Sequence, residues 1–174
     1  IDSLTPEEAQ QALVGPAETE NVSYDEDAVD LAVNLTHGYP YFIQELGYQA
    51  WIVANGNRIT AEDISIAKEA YEAKLDGSFF RVRLDRATPL QTAYMRAMAE
   101  LGSEPQKAAD VASLMKRESS QVAPIRSQLI DMGLLYTPQH GYAAFTVPDF
   151  DKFMMRAVPR LEVPEIQHRR RRRK

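Results

Sequence analysis

The chain has no cysteine, one tryptophan and three histidines, and these scarcities exclude whole classes of chemistry. Without thiols there is no disulfide framework, no cysteine-ligated metal and no thiolate nucleophile. His37, His140 and His168 share no metal-ligand spacing. No run reaches the roughly 18 apolar residues of a membrane-spanning helix, and no signal-peptide pattern opens the chain. A G-x-S-x-G nucleophile elbow is also missing. These absences predict a cytoplasmic protein with no membrane insertion, no metal site and no catalytic residue of its own. The chain opens on Ile1 without a methionine, which suggests a processed piece or a portion of something longer.

What is present is ordinary globular material: 174 residues, 44% hydrophobic and 26% charged, enough for one medium core or two small ones. The charge is distributed unevenly. Residues 1–86 carry 6 Lys and Arg against 16 Asp and Glu, residues 87–160 carry 8 against 7, and residues 161–174 carry 6 against 2. An acidic half, a neutral half and a basic end imply two domains with different surfaces.

The acidic half reads as four helices. Thr5, Pro6 and Glu8 form a capping-box start, and Thr60 with Asp63 repeats it. Ala28, Leu31, Ala32 and Leu35 recur at helical spacing ahead of His37-Gly38, a helix stop. Ile43, Leu46, Gly47, Ala50 and Ala54 define the next face, and Ile64, Ala67, Tyr71 and Leu75 the last. Trp51, Met95 and Met98 also sit at helical spacing and are expected in the core. In "DGSFFRVRLDRATP", Phe80, Val82 and Leu84 alternate with Arg81, Arg83 and Asp85, which predicts an extended linker or strand.

The second half has another order. Leu90, Ala93, Tyr94, Ala97, Met98 and Leu101 line one face of a helix that Gly102 stops. "KAADVASLMK" is a short second helix. A third carries Val122, Ile125, Leu129 and Met132 inward, with Pro124 in its first turn. "LLYTPQHGYAAFTVP" then reads as a hairpin turning at Pro138 to Gly141, followed by a last helix in "DFDKFMMRAV". Three helices and a two-stranded wing are the order of a winged helix-turn-helix. The expected fold is therefore mainly α. A small helical lid-like bundle spans 1–77, a linker 78–87 and a winged helix-turn-helix domain with a short β-hairpin 88–158. A basic tail over 159–174 has little to bury and is expected to be disordered.

Three stretches carry a family resemblance: "GYPYFIQELGYQAW", "SFFRVRLDRATPLQTAYMRAMAELG" and "LIDMGLLYTPQHGYAAFTVPDFDKFMMR". Together they resemble the C-terminal part of a bacterial P-loop ATPase of the AAA or STAND type, related to archaeal ATPases and origin-recognition ATPases. In that family a nucleotide-binding core precedes a helical lid and a winged helix. The resemblance implies a regulatory portion whose lid closes on ATP or ADP, with Mg²⁺, held by a P-loop core. The winged helix would relay nucleotide state to DNA or to a protein. This chain departs from the family in having no G-x-x-x-x-G-K-[ST] and no strand ending in paired acids, so it is not expected to hydrolyse ATP by itself.

The resemblance also implies a site. A G-x-P in the STAND lid packs against adenine, and Gly38 and Pro40 match it, with Tyr39 or Tyr41 as a stacking face. Read from the residues alone, the same corner is complete as a turn, Gly38 supplying positive φ and Pro40 starting the next helix. The lid helix "YFIQELGYQAW" has no arginine of the phosphate-sensing type. Arg81, Arg83 and Arg86 suit either a phosphate or pairing with the acidic half. DNA-binding candidates in the winged helix are Lys116, Arg117, Ser119, Ser120, Gln121, Arg126, Gln128 and His140, a thin basic footprint for phosphate neutralisation. Arg169–Lys174 offers charge for nucleic acid or anionic lipid, or remains solvated. Asp25, Glu26 and Asp27 open a helix, where its dipole accounts for them. Rival readings are a stand-alone winged-helix DNA-binding transcriptional regulator and a protein-interaction adaptor.

Overall fold

The computed structural model describes residues 2–165. These residues are mainly helical with two small sheets, and form two compact units that meet in sequence between Phe79 and Phe80.

The first unit contains α1 (Pro6–Thr19), α2 (Glu26–Thr36), α3 (Pro40–Val53) and α4 (Ala61–Lys74). Each of α1 and α4 opens on a reciprocal cap. Thr5 Oγ1 accepts from the Glu8 amide while the Glu8 carboxylate accepts from the Thr5 amide, and Thr60 and Asp63 do the same. The inward positions repeat every three or four residues: Ala9, Leu13 and Ala17 on α1, Phe42, Ile43, Leu46 and Ala50 on α3, Ile64, Ala67 and Tyr71 on α4. Helix α1 continues through Pro16 because that ring lies on an exposed face, so the break amounts to a lost backbone bond rather than a core defect. Leu31 and Leu35 of α2 are only half-buried, while Val29 and Thr36 lie inside. Thr36 is made acceptable there by donating its hydroxyl to the Ala32 carbonyl at 2.8 Å.

Two features of this unit overturn the sequence expectations. Trp51 is 44% exposed rather than in the core, because it lies on the outer face of α3 beside Tyr48 and Ile52. A two-residue parallel sheet also joins β1 (Ser23–Tyr24) to β2 (Arg58–Ile59), with Asp25 accepting from the Arg58 guanidinium beside it. Strands this short have no alternation to read.

The extended linker over 78–87 is replaced by helix. A π-helical stretch covers Leu75–Phe80 and α5 covers Arg81–Leu84. The alternation of Phe80, Val82 and Leu84 is misleading. Phe80 and Leu84, four apart, are buried, whereas Val82 is exposed, which is helical spacing. The Arg81 guanidinium sits 5.5 Å from the centre of the Phe153 ring.

The second unit continues with α6 (Pro89–Leu101), β3 (Gln106–Lys107), α7 (Ala108–Leu114), α8 (Ser119–Asp131), β4 (Leu135–Tyr136), β5 (Tyr142–Phe145) and α9 (Phe150–Ala157). Helix α6 is the centre of this core: Tyr94, Met95, Ala97 and Met98 are buried on it, and only its two ends, Pro89 at the start and Glu100 and Leu101 at the finish, are exposed. Val122, Ile125 and Leu129 of α8 face inward, and Met132 is half-buried. Pro124 lies in the second turn of α8, not the first, again on an exposed face where its ring meets solvent. Phe80 stacks on Phe153 at 5.2 Å and meets Phe150 edge-on at 5.7 Å. The hairpin gains a third strand, giving the antiparallel order β3-β5-β4. Gln106 pairs with Ala143, and Leu135 with Phe145.

The segment expected to be disordered from 159 onwards is instead anchored as far as it is described. Leu161, Val163 and Pro164 are half-buried, and buried Arg96 donates to the carbonyls of Val158 at 2.6 Å and Pro159 at 3.2 Å. The rest of the expected tail, residues 166–174 with Arg169–Lys174, lies outside the described residues.

Tyr94 gives a pH prediction. Burial pushes its phenol up from 10.0 to about 12, opposed by the nearby charge of Arg126. The folded state therefore holds this proton after the unfolded state has released it, so stability falls as pH rises from about 10 towards 12 and is unaffected below that window. Its hydroxyl also has no hydrogen-bond partner among the described residues. Tyr94→Phe should therefore cost less than about 1 kcal/mol at pH 7 and flatten the alkaline fall, as read from urea midpoints at pH 7 and 11.

Candidate functional site

The corner between α2 and α3 is built by the backbone. His37 takes φ of 50° and Gly38 of 67°, so two successive left-handed residues turn the chain before Pro40 opens α3. Gly38 is buried beneath the N-terminal segment: its carbonyl accepts from the Leu4 amide at 2.8 Å, and a Cβ on Gly38 would stand 2.6 Å from the Leu4 oxygen. Tyr39 is buried against Phe42 (ring centres 4.8 Å apart) and lies edge-on to Phe79 at 6.0 Å. Pro40 is half-buried. Tyr41 is 37% exposed and stacks nearly parallel on Phe79 at 4.7 Å, with an interplanar angle of 17°. Of the two tyrosines weighed as stacking faces, Tyr41 is the one that solvent reaches. The sequence signal for this shelf was Phe79, hidden in a stretch that read as linker.

A second concavity in this unit, about 350 Å³, lies along α1 and α3. Leu13, Tyr24, Gly47, Tyr48 and Trp51 line it, with Glu20 as its acidic member. Burial alone pushes the Tyr24 phenol up to about 12. Nothing in the sequence reading marked this groove.

The DNA-binding candidates of the second unit gather around the turn between α7 and α8, but several are already engaged. Arg117 donates to the Pro164 carbonyl at 3.1 Å. Gln121 accepts from the Glu118 amide as one half of a capping box, and Gln128 accepts from the Gln91 side chain at 2.9 Å. Arg126 is half-buried on the Tyr94 side of α8. Ser119 and Ser120 are exposed at the start of α8, and Lys116 is exposed in the turn with φ of 55°. His140 is exposed in the loop between β4 and β5, whose last residue, Gly141, accepts from the Ala108 amide just after β3 at 2.8 Å. Arg86 is exposed and Arg83 half-buried. No group of three or more metal-ligating side chains occurs among the described residues, and no described helix is long and apolar enough to cross a membrane.

Residues 77–154 match a family model described as a domain of unknown function (DUF8462). That span covers the second unit from the π-helical stretch into α9 and leaves the first four helices outside it. No curated protein matches the chain.

Proposed function

We propose that this chain is the C-terminal regulatory portion of an AAA- or STAND-type ATP-binding protein. Its first unit acts as a lid over adenine nucleotide held by a P-loop core outside these residues, and its second unit is a winged helix. The observation that carries the reading is the Gly38-Tyr39-Pro40 corner with the Tyr41–Phe79 shelf beside it. A flat, partly exposed aromatic pair next to a G-x-P corner is a surface on which a purine stacks. The winged-helix part draws support from the order α6-β3-α7-α8-β4-β5 together with the strand order β3-β5-β4. In this reading Gly38 shapes the corner, Pro40 fixes where α3 begins, and Tyr41 meets the base.

The test uses the protein extended by its upstream coding frame. A G-x-x-x-x-G-K-[ST] following a strand is expected there. Loss of one stacking face should weaken fluorescent ATP binding by Tyr41→Ala about tenfold, and Pro40→Ala should weaken it too. A frame without that motif, or a Tyr41→Ala affinity equal to wild type, removes the nucleotide reading and leaves the corner as a turn.

A further inference from the structure

The groove along α1 and α3 of the first unit takes no part in the nucleotide reading, and its chemistry is one-sided. Leu13, Ala17 and Ile43 give it a buried apolar floor, while Tyr48 and Trp51, three apart on α3, line it and remain exposed. Half-buried Tyr24 adds a third aromatic wall. Gly47 keeps the middle open. Its φ is not positive, so no turn requires glycine there, and a Cβ on it would meet Leu13 Cδ1 at 3.4 Å and the Tyr24 hydroxyl at 3.8 Å.

The charged and backbone groups of this groove are acceptors. Glu20 stands at the C-terminal end of α1, where the helix dipole is negative and the last turn has no basic side chain. Its carboxylate makes no ion pair among the described residues. Pro16, one turn earlier, has no N–H to give the Ala12 carbonyl, and both residues line the groove. Neither α1 nor α3 contains a lysine or arginine, and residues 2–79 carry 3 Lys and Arg against 15 Asp and Glu. Of those three cations, Arg58 is held by Asp25 and Lys68 by Glu72.

We infer that this groove is a binding site for a small organic cation with an apolar body and an ammonium head. The body lies on the floor between the aromatic side chains, and the ammonium is drawn to the ring faces and to Glu20. A volume of about 350 Å³ suits an amine carrying one ring, and an anion would meet carboxylates with no cationic side chain to offset them. The groove shares no residue with the Gly38–Tyr41 corner, so the inference stands or falls apart from the nucleotide reading.

The experiment titrates the 174-residue chain with phenethylammonium, following the heat of binding and the emission of Trp51, the sole tryptophan and a lining residue. Phenylethanol and phenylacetate carry the same ring with no charge and a negative charge, and methylammonium is the head without the body. A probe this small reaches a dissociation constant of about 1–10 mM. The cation should bind about tenfold more tightly than the alcohol, with phenylacetate and methylammonium weaker still. Glu20→Gln should weaken the cation about threefold and leave the alcohol unchanged, whereas Glu69→Gln, which removes an exposed carboxylate on α4, should change neither. Gly47→Ala should weaken both ring ligands severalfold while raising the urea midpoint, because alanine is the better helix residue. Opposite movements of affinity and stability separate lost space from a lost fold. Alcohol bound as tightly as the cation reduces the groove to an apolar patch and overturns the inference. So does methylammonium matching phenethylammonium, an equal effect of Glu20→Gln and Glu69→Gln, or an affinity that Gly47→Ala leaves intact. No saturable binding up to about 10 mM overturns it as well.

Discussion

Gly38→Ala is expected to destabilise the first unit by about 2–4 kcal/mol, among the larger effects of adding one methyl group. Two costs combine. Alanine at φ of 67° pays a left-handed penalty of about 1 kcal/mol. The new Cβ would also stand 2.6 Å from the Leu4 carbonyl oxygen, which is backbone and tied to the corner by its own amide bond to Gly38. Relief requires the N-terminal segment to lift away, which exposes the corner. Trp51, the sole tryptophan, lies in this unit, so its emission during urea unfolding reports the loss directly. Gly56 is a control with positive φ and open space around it; Gly56→Ala carries the backbone cost without the clash. Equal losses at the two positions would show that the Leu4 contact contributes nothing.

The second large effect is expected at Arg96, whose side chain is 4% exposed. Its guanidinium makes an ion pair with Glu100 and donates to two main-chain carbonyls. Arg96→Ala leaves those carbonyls without a donor and opens a void beside α6, so the second unit should lose about 2–4 kcal/mol. Arg96→Lys keeps the charge but not the planar fork, and should lose about half as much. Hydrogen exchange separates a local from a global effect. Amides of residues 158–165 should become fast in both variants, while those of α6 should change mainly in Arg96→Ala. If the segment remains protected in Arg96→Ala, packing and not the guanidinium holds it.

Much of the secondary structure was legible because its causes are local. Thr5 with Glu8 and Thr60 with Asp63 announce helix starts, His37-Gly38 announces a stop, and the 3.6-residue spacing of Ile64, Ala67 and Tyr71 names an inner face. The corner at Gly38 was found for the same reason: a left-handed residue before a proline is written in residue types. The errors fall where spacing is ambiguous or partners are remote. Phe80, Val82 and Leu84 fit alternation over three positions, and only the burial of Phe80 with Leu84 distinguishes helix from strand.

The sequence by itself determined the caps, the helix stops, the absence of thiol chemistry and the charge asymmetry, all of which depend on neighbours in the chain or on composition. The tertiary structure alone decided what each corner and charge is used for. It placed Leu4 over Gly38, left Tyr41 exposed while Tyr39 is buried, and tied Arg96 and Arg117 to residues 158–164. The physical reason is that a guanidinium or a glycine has the same local preferences in many folds. Its partner is set only when distant segments meet, through burial that makes an unpaired polar group costly.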